Sequence, residues 1–176
     1  KVYASDSDFK DIKTHINTLK KSSGGRREIP EAVMVADICE SSRMMDLYGD
    51  GATYIIKNAL EDIMFPIFKE NKSSFTKSTG DGFLVCFPNS KSALDAAIQV
   101  LERVNTYNSN VVDGPQIHLR FAIHFGEVRV MPDEDRHGTN INIPFRVEGL
   151  KVDGLVVVKD GISREEFTLI DRIFIT

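Results

Sequence analysis

The chain has 176 residues, 41% hydrophobic and 27% charged, which suits a soluble globular protein with one continuous core. A net charge of −4 argues against a broad nucleic-acid surface, though not against a local phosphate site. No apolar run reaches the roughly 18 residues of a membrane-spanning helix. The start, Lys1-Val2-Tyr3-Ala4-Ser5-Asp6, has neither a Met nor the apolar core of a signal peptide, and reads as a piece of something longer. Two cysteines, Cys39 and Cys86, are too few for a disulfide framework; the plain expectation is a cytoplasmic protein with free thiols.

In chain order, Phe9, Ile12, Ile16 and Leu19 recur at helical spacing behind Ser5-Asp6-Ser7-Asp8 and end at Gly24-Gly25. Residues 1–29 are therefore expected to be a helical arm or linker, and 30–176 the working domain. An apolar run predicts a first strand over about 32–38. A helical turn near 42–47 is interrupted by Gly49-Asp50-Gly51, and a longer helix follows with Ile56, Leu60, Met64 and Ile67 on one stripe. Pro66 is expected to kink or close it. Strands at about 73–78 and 83–87 flank Gly80-Asp81-Gly82 as a hairpin. A second helix begins near Asn89 and carries Ala93, Ala97, Val100 and Val104. A long strand over 117–130 holds Gly126 as a candidate bulge. This order, β-α-β-β-α-β, predicts an α+β ferredoxin-like core with helices on one face of an antiparallel sheet. A polar loop, a short helix, hairpin-like material around 151–155 and a strand within 167–176 complete the chain.

Two acids stand out. Asp37 closes one apolar run, and Asp81 sits in the tight turn ahead of another. If the two strands are neighbours, the carboxylates converge. Hard divalent cations are held by one or two carboxylates plus substrate phosphates, so the pair is a candidate nucleotide–metal site. Asp is also common in turns, which is the plainer reading of either residue alone.

Four stretches together resemble the class III nucleotidyl cyclase catalytic domain: Ala36-Asp37-Ile38, Lys77-Ser78-Thr79-Gly80-Asp81-Gly82, Leu119–Val128, and Gly138-Thr139-Asn140-Ile141-Asn142-Ile143-Pro144-Phe145-Arg146. They run from about 32 to 150 in the family's order and close to its spacing. The resemblance implies that Asp37 and Asp81 hold two Mg²⁺ or Mn²⁺ ions, with the Ile38 carbonyl as a further ligand. It implies that Lys77 and Asp135 read the base, in the adenine-selective combination. It casts Asn142 and Arg146 as the residues that orient the ribose and stabilise charge on the α-phosphate. In that family the site is shared by two chains, so the implied partners are a nucleoside triphosphate and a second copy, with an upstream regulatory domain also compatible.

The chemistry of the residues agrees with these roles. Asn142 and Arg146 are four apart and share a face on a helix. A guanidinium forks onto phosphate oxygens, and an amide holds a ribose oxygen or a water. Backbone N–H groups of Cys39, Glu40, Ser41 and Ser42 are positioned to cup a polyphosphate as at a helix start. Each residue also has a bland reading: Lys77 as a solvated strand residue, Asp135 as loop charge, Asn142 as a cap, Arg146 as a surface cation. His124 reads as a packed histidine rather than a ligand.

The pattern departs from the family at three places. Glu40 and Ser41 stand where a small and then an aromatic residue are usual. Pro144 and Phe145 replace small residues, and a proline there suggests a helix that starts late. Lys151 and Lys159 lie near the family's triphosphate lysine, but neither sits in a recognisable motif. The expected function is a homodimeric cyclase that converts a nucleoside triphosphate, ATP foremost, to its 3′,5′-cyclic monophosphate and pyrophosphate. The alternatives are a cyclase using GTP, CTP or UTP, and an inactive dimerisation or nucleotide-sensing domain.

Overall fold

In the computed structural model, which describes Thr14 and residues 27–112, 114–149, 154–157 and 173–175, the run through Val33 is the spine of the sheet. This strand, β1 (Arg27–Ile38), pairs antiparallel with β3 (Gly82–Phe87) on one side and β4 (Leu119–Val130) on the other. β2 (Phe75–Ser78) lies outside β3, and β5 (Arg136–His137) pairs with the far end of β4. β6 (Gly154–Val157) runs parallel to β4, and β7 (Ile173–Ile175) parallel to β6. The main path across the sheet is β2-β3-β1-β4-β6-β7.

The helices are α1 (Ser41–Tyr48), α2 (Asp50–Glu70), α3 (Ser90–Asn110) and α4 (Thr139–Glu148). Even-numbered residues of β1, Ala32, Met34, Ala36 and Ile38, join Leu60, Met64 and Phe68 of α2 and Ala93, Ala97 and Val100 of α3 in the main core. Odd-numbered residues, Val33 and Val35, join Leu84, Cys86, Val128 and Ile141 of α4 in a second core. Both faces of the central strands are thus covered. That is why β1 and β3 read as continuous apolar runs rather than as alternating ones. Leu60 and Met64 are fully buried, and truncating either to Ala should cost about 2–5 kcal/mol.

The expected β-α-β-β-α-β order is present, with α2 and α3 on one face and α4 added on the other. Several local expectations change. β1 begins at Arg27 rather than near 32, because its polar first turn of sequence pairs with the end of β4, including a Glu28–Arg129 ion pair at 3.0 Å. Pro30 is tolerated there because β3 reaches only to Ala32, leaving that stretch with one neighbour. Pro66 does not close α2, which runs on to Glu70. Ile67 and Phe68 are buried beyond the proline, and Asn71 Nδ2 donates to the Ile67 carbonyl at 2.9 Å.

Gly126 is not a bulge. It stands in unbroken register with Glu31, and a Cβ there would lie 2.5 Å from Asn140 Nδ2. The glycine lets α4 approach the sheet. Nor does α4 start late: it begins at Thr139 and continues through the buried Pro144. The hairpin expected around 151–155 is replaced from Gly154 by a strand parallel to β4, and the strand expected in 167–176 is seen at Ile173–Ile175. The remaining residues of both segments, and nearly all of the helical arm expected over 1–29, lie outside the described residues.

Candidate active site

Asp37 occupies the last turn of β1 and faces Gly82 of β3 in register, with Asp81 in the adjoining turn. The turn is closed by Thr79 N–H donating to the Gly82 carbonyl at 2.9 Å, with Gly80 at φ 82. A side chain at Gly82 would collide with the Ala36 carbonyl, so glycine is what lets the turn lie against β1. Lys57 of α2 donates to the Gly80 carbonyl, and Ser41 Oγ donates to Asp81 Oδ2 at 2.5 Å. Two elements besides the hairpin therefore hold Asp81 in place.

Asp37 has neighbours that sequence reading did not find. Arg120, its partner on β4, places Nη2 3.1 Å from Asp37 Oδ2. The same guanidinium puts Nε 3.4 Å from Glu148 Oε1, close enough for an ion pair but without hydrogen-bond geometry. Glu148 ends α4, near enough for its negative charge to act on Asp37. Burial first, and then the negative charges of Asp81 and Glu148, push the Asp37 carboxyl up to about 6, against the pull of Arg120. A single Arg does not neutralise three acids. Alternation along β4 was the one available signal for Arg120, since it placed position 120 on the side opposite the apolar Leu119 and Phe121.

Beside the acids, Glu40 adopts a left-handed conformation (φ 55) ahead of α1, and its carboxylate turns away to pair with Arg43 at 3.1 Å. Ser42 is exposed and Ser41 buried. Cys39 departs from expectation: its side chain is buried and its N–H already donates to the His118 carbonyl at 2.8 Å. The cradle of N–H groups at this helix start therefore begins after Cys39. Ile38 is buried beneath it.

Lys77 and Asp135 form a second group. Lys77 Nζ donates to Asp135 Oδ2 at 2.8 Å, and the Arg136 N–H donates to Asp135 Oδ1 at 2.9 Å. The Lys77 hydrogen bond, helped by the backbone one from Arg136, holds the Asp135 carboxyl below its ordinary value against the opposing effect of burial. Residues 58 apart are thus joined at the edge of the sheet. Below them lies a buried ion pair that the sequence did not disclose, Arg136 with Glu31, in which both side chains are 3% exposed.

Asn142 and Arg146 form a third group, both exposed on one face of α4 with Phe145 beside them. The start of this helix is pinned by Asn140, whose Nδ2 donates to the Glu127 carbonyl at 2.8 Å and whose Oδ1 lies 3.0 Å from His124 Nε2. His124 is a buried packing residue, as expected, and its Nδ1 has no hydrogen-bond partner among the described residues. Also among the described residues, no three His, Cys, Asp or Glu side chains are grouped to hold a metal by themselves, and no helix is long and apolar enough to cross a membrane.

No protein-family model matches the chain. It is 27% identical over 131 residues to a Rhizobium meliloti (strain 1021) protein described as "Putative adenylate cyclase 3", covering 74% of this chain but only 22% of that protein. Among solved structures, a bacterial light-regulated adenylyl cyclase superposes with a TM-score of 0.67 at 15% identity, over 86% of this chain and 56% of that one. An adenylate/guanylate cyclase/hydrolase from Silicibacter pomeroyi gives 0.66 at 22% identity, over 76% of this chain and 77% of that one. The catalytic core of a rhodopsin-guanylyl cyclase with converted specificity, in complex with ATPαS, gives 0.63 at 20% identity, over 70% and 73%. The order of strands, the helix laid across the second face and these superpositions agree: this chain has the fold of a class III nucleotidyl cyclase catalytic domain.

Proposed function

We propose that the domain converts a nucleoside triphosphate, ATP foremost, to the 3′,5′-cyclic monophosphate and pyrophosphate, at sites shared between two copies of the chain. The observation that carries this reading is the meeting of Asp37 and Asp81 beside a helix start, within a class III fold. In the reaction the ribose 3′-oxygen attacks the α-phosphorus and the bond to the β-phosphate oxygen breaks. Pyrophosphate leaves with that oxygen, and the hydroxyl proton passes to solvent.

The acidic group fits a hard divalent cation. Burial first, and then Asp81 and Glu148, push Asp37 toward neutrality, and the part owed to the neighbouring acids is an imbalance that a bound cation would relieve. With only two carboxylates at the turn, such ions depend on the triphosphate to complete their shell. Asp37, Asp81 and the Ile38 carbonyl are the proposed ligands of two Mg²⁺ or Mn²⁺ ions, which would acidify the 3′-hydroxyl and neutralise the departing charge. The N–H groups from Glu40 to Ser42 receive phosphate oxygens, and the turned-away Glu40 carboxylate does not oppose them.

Lys77 and Asp135 offer a donor and an acceptor side by side, which suits the ring nitrogen and exocyclic amine of adenine. The similar proteins include both adenylyl and guanylyl cyclases, so the choice of base rests on these side chains. Asn142 and Arg146 project from one exposed face of α4, where a second copy's substrate would meet the ribose-orienting amide and the phosphate-binding fork. The chain is read as a cytoplasmic domain, and an upstream regulatory domain is compatible with its covering 22% of its longer relative. The test is direct. The protein is incubated separately with ATP, GTP, CTP and UTP plus Mn²⁺, and the products are identified by mass. A 3′,5′-cyclic monophosphate, chiefly from ATP, is expected; no cyclic product from any of the four would overturn the reading.

A further inference from the structure

A buried polar group, Arg136 with Glu31, lies beneath Lys77 and Asp135. Arg136 Nε donates to Glu31 Oε2 at 2.8 Å, and Nη2 lies 3.4 Å from Glu31 Oε1. Its Nη1 donates to the Glu134 carbonyl at 2.6 Å, and the guanidinium stacks 5.1 Å from the centre of the Phe75 ring. Ser74 Oγ donates to Glu31. One buried fork therefore touches β1, the strand carrying Lys77 and the loop carrying Asp135. The loop's other bonds are internal to it or to β4: Glu134 N–H donates to the Met131 carbonyl at 2.9 Å and Asp135 N–H to Asp133 Oδ1 at 3.2 Å. Glu134 is left-handed (φ 63), and Met131 N–H closes the turn on the Asp135 carbonyl at 2.9 Å.

We propose that the buried Arg136–Glu31 pair is a positioning device that sets Asp135 and Lys77 at the spacing that selects the base. The proposal rests on the reading that those two side chains contact the base. A buried ion pair is a poor source of net stability, since well-packed apolar residues of similar volume often serve as well or better. What the pair supplies is geometry: a planar guanidinium holds a carboxylate, a carbonyl and an aromatic face at fixed angles. With the Glu134 carbonyl gripped, the Arg136 N–H is aimed at Asp135 Oδ1, which leaves Oδ2 for Lys77. Neither buried side chain touches substrate. Their effect is on how well one base is told from another.

The experiment compares the unmodified chain with Glu31→Met/Arg136→Met, which removes both charges at similar volume, and with Arg136→Lys, which keeps charge without the fork. Thermal melts first establish folding. Discrimination is then read twice: as ratios of kcat/KM among ATP, GTP, CTP and UTP, and as competition by each against a fluorescent nucleotide. These ratios do not depend on the fraction of folded protein, so a merely structural role leaves them unmoved. The double variant is expected to melt within a few degrees of the unmodified chain and lose about tenfold of its discrimination, mainly through KM. Arg136→Lys is expected to fall between the two. A folded variant of either kind with unchanged ratios overturns the proposal; if the double variant does not fold, Arg136→Lys decides. Should the unmodified chain form no cyclic product, the cyclase reading fails while the competition ratios still test the positioning. Binding all four nucleotides alike overturns it.

Discussion

Arg120 and Asp37 face each other as register partners on neighbouring strands, 83 residues apart in the chain and 3.1 Å apart at their charged ends. The same guanidinium lies beside Glu148, two residues beyond Arg146 on α4. The acidic end of β1 and the helix that carries Asn142 and Arg146 are therefore linked through one cation. Because Asp37, Asp81 and Glu148 outnumber it, the group carries excess negative charge that must be protonated or neutralised from outside.

That excess sets a pH dependence for the metal-free protein. Asp37 has a folded-state pKa raised from 3.8 to about 6. Between those values the folded chain keeps a proton that the unfolded chain has released. Ionisation of Asp37 thus leaves stability intact below about pH 4, erodes it as pH rises towards 6, and costs the full amount above. Asp37→Asn abolishes this term. In EDTA the variant should melt a few degrees above the unmodified chain at pH 8, about 1–3 kcal/mol, with the gap closing at pH 4. Adding Mn²⁺ at pH 8 should raise the melting temperature of the unmodified chain more than that of the variant. A gap that stays constant from pH 4 to 8 would show that Asp37 does not titrate in this way.

Sharing of the site between copies makes a separate forecast. Asp37→Asn and Arg146→Ala should each be inactive alone, one lacking a metal ligand and the other the phosphate fork. Mixed in equal amounts after subunit exchange, half of the dimers carry one intact composite site of two. About a quarter of the unmodified rate is then expected from random pairing. Exchange demonstrated by a labelled subunit, with no recovered activity, would argue that each site is built within one chain.

The fold was largely legible because its signals are local. Apolar runs bounded by turns placed the strands, and Gly80-Asp81-Gly82 marked the hairpin that brings Asp81 beside Asp37. Lys77 with Asp135 was legible only through resemblance, since a strand lysine and an acid in a charged loop look alike anywhere. Arg120, Glu31 and Arg136 were missed for one physical reason: their meanings lie in partners on other strands, 83 to 105 residues away; Glu148 was missed because only the packing of α4 on the sheet brings it to Arg120. A charge in Asp133-Glu134-Asp135-Arg136-His137 reads as solvated until β5 is seen to carry Arg136 under the sheet. Pro66 and Pro144 misled because tertiary burial around them outweighs the lost hydrogen bond.

Gly126 offers a test of how α4 is held. A methyl group there would meet the Asn140 amide at 2.5 Å, and Asn140 is what joins His124 and the Glu127 carbonyl to the start of the helix. Gly126→Ala should push that amide out, leave His124 buried with a poorer hydrogen bond, and cost about 1–3 kcal/mol. The effect should be smaller when Asn140 is already Ala, because the clash has gone with the amide. Equal costs of Gly126→Ala in the two backgrounds, measured as a double-mutant cycle in urea, would mean that the glycine serves something else.

The base itself gives the sharpest prediction. Lys77 and Asp135 are hydrogen-bonded to each other at 2.8 Å, so an incoming adenine edge exchanges that one bond for a bond to each side chain. Guanine presents an acceptor where adenine has its amine and would leave the Asp135 carboxylate facing an oxygen. Once a bound base covers these two groups and shuts out water, a base that leaves either unpaired is disfavoured by a factor of about ten per group. Lys77→Glu with Asp135→Ala should therefore lower kcat/KM for ATP by about a hundredfold and leave GTP use equal or improved, with the melting temperature changed little because the pair is largely exposed. Competition assays with all four triphosphates read the outcome. If the double variant keeps its preference for ATP, or the unmodified chain prefers CTP or UTP, Lys77 and Asp135 are not the residues that read the base.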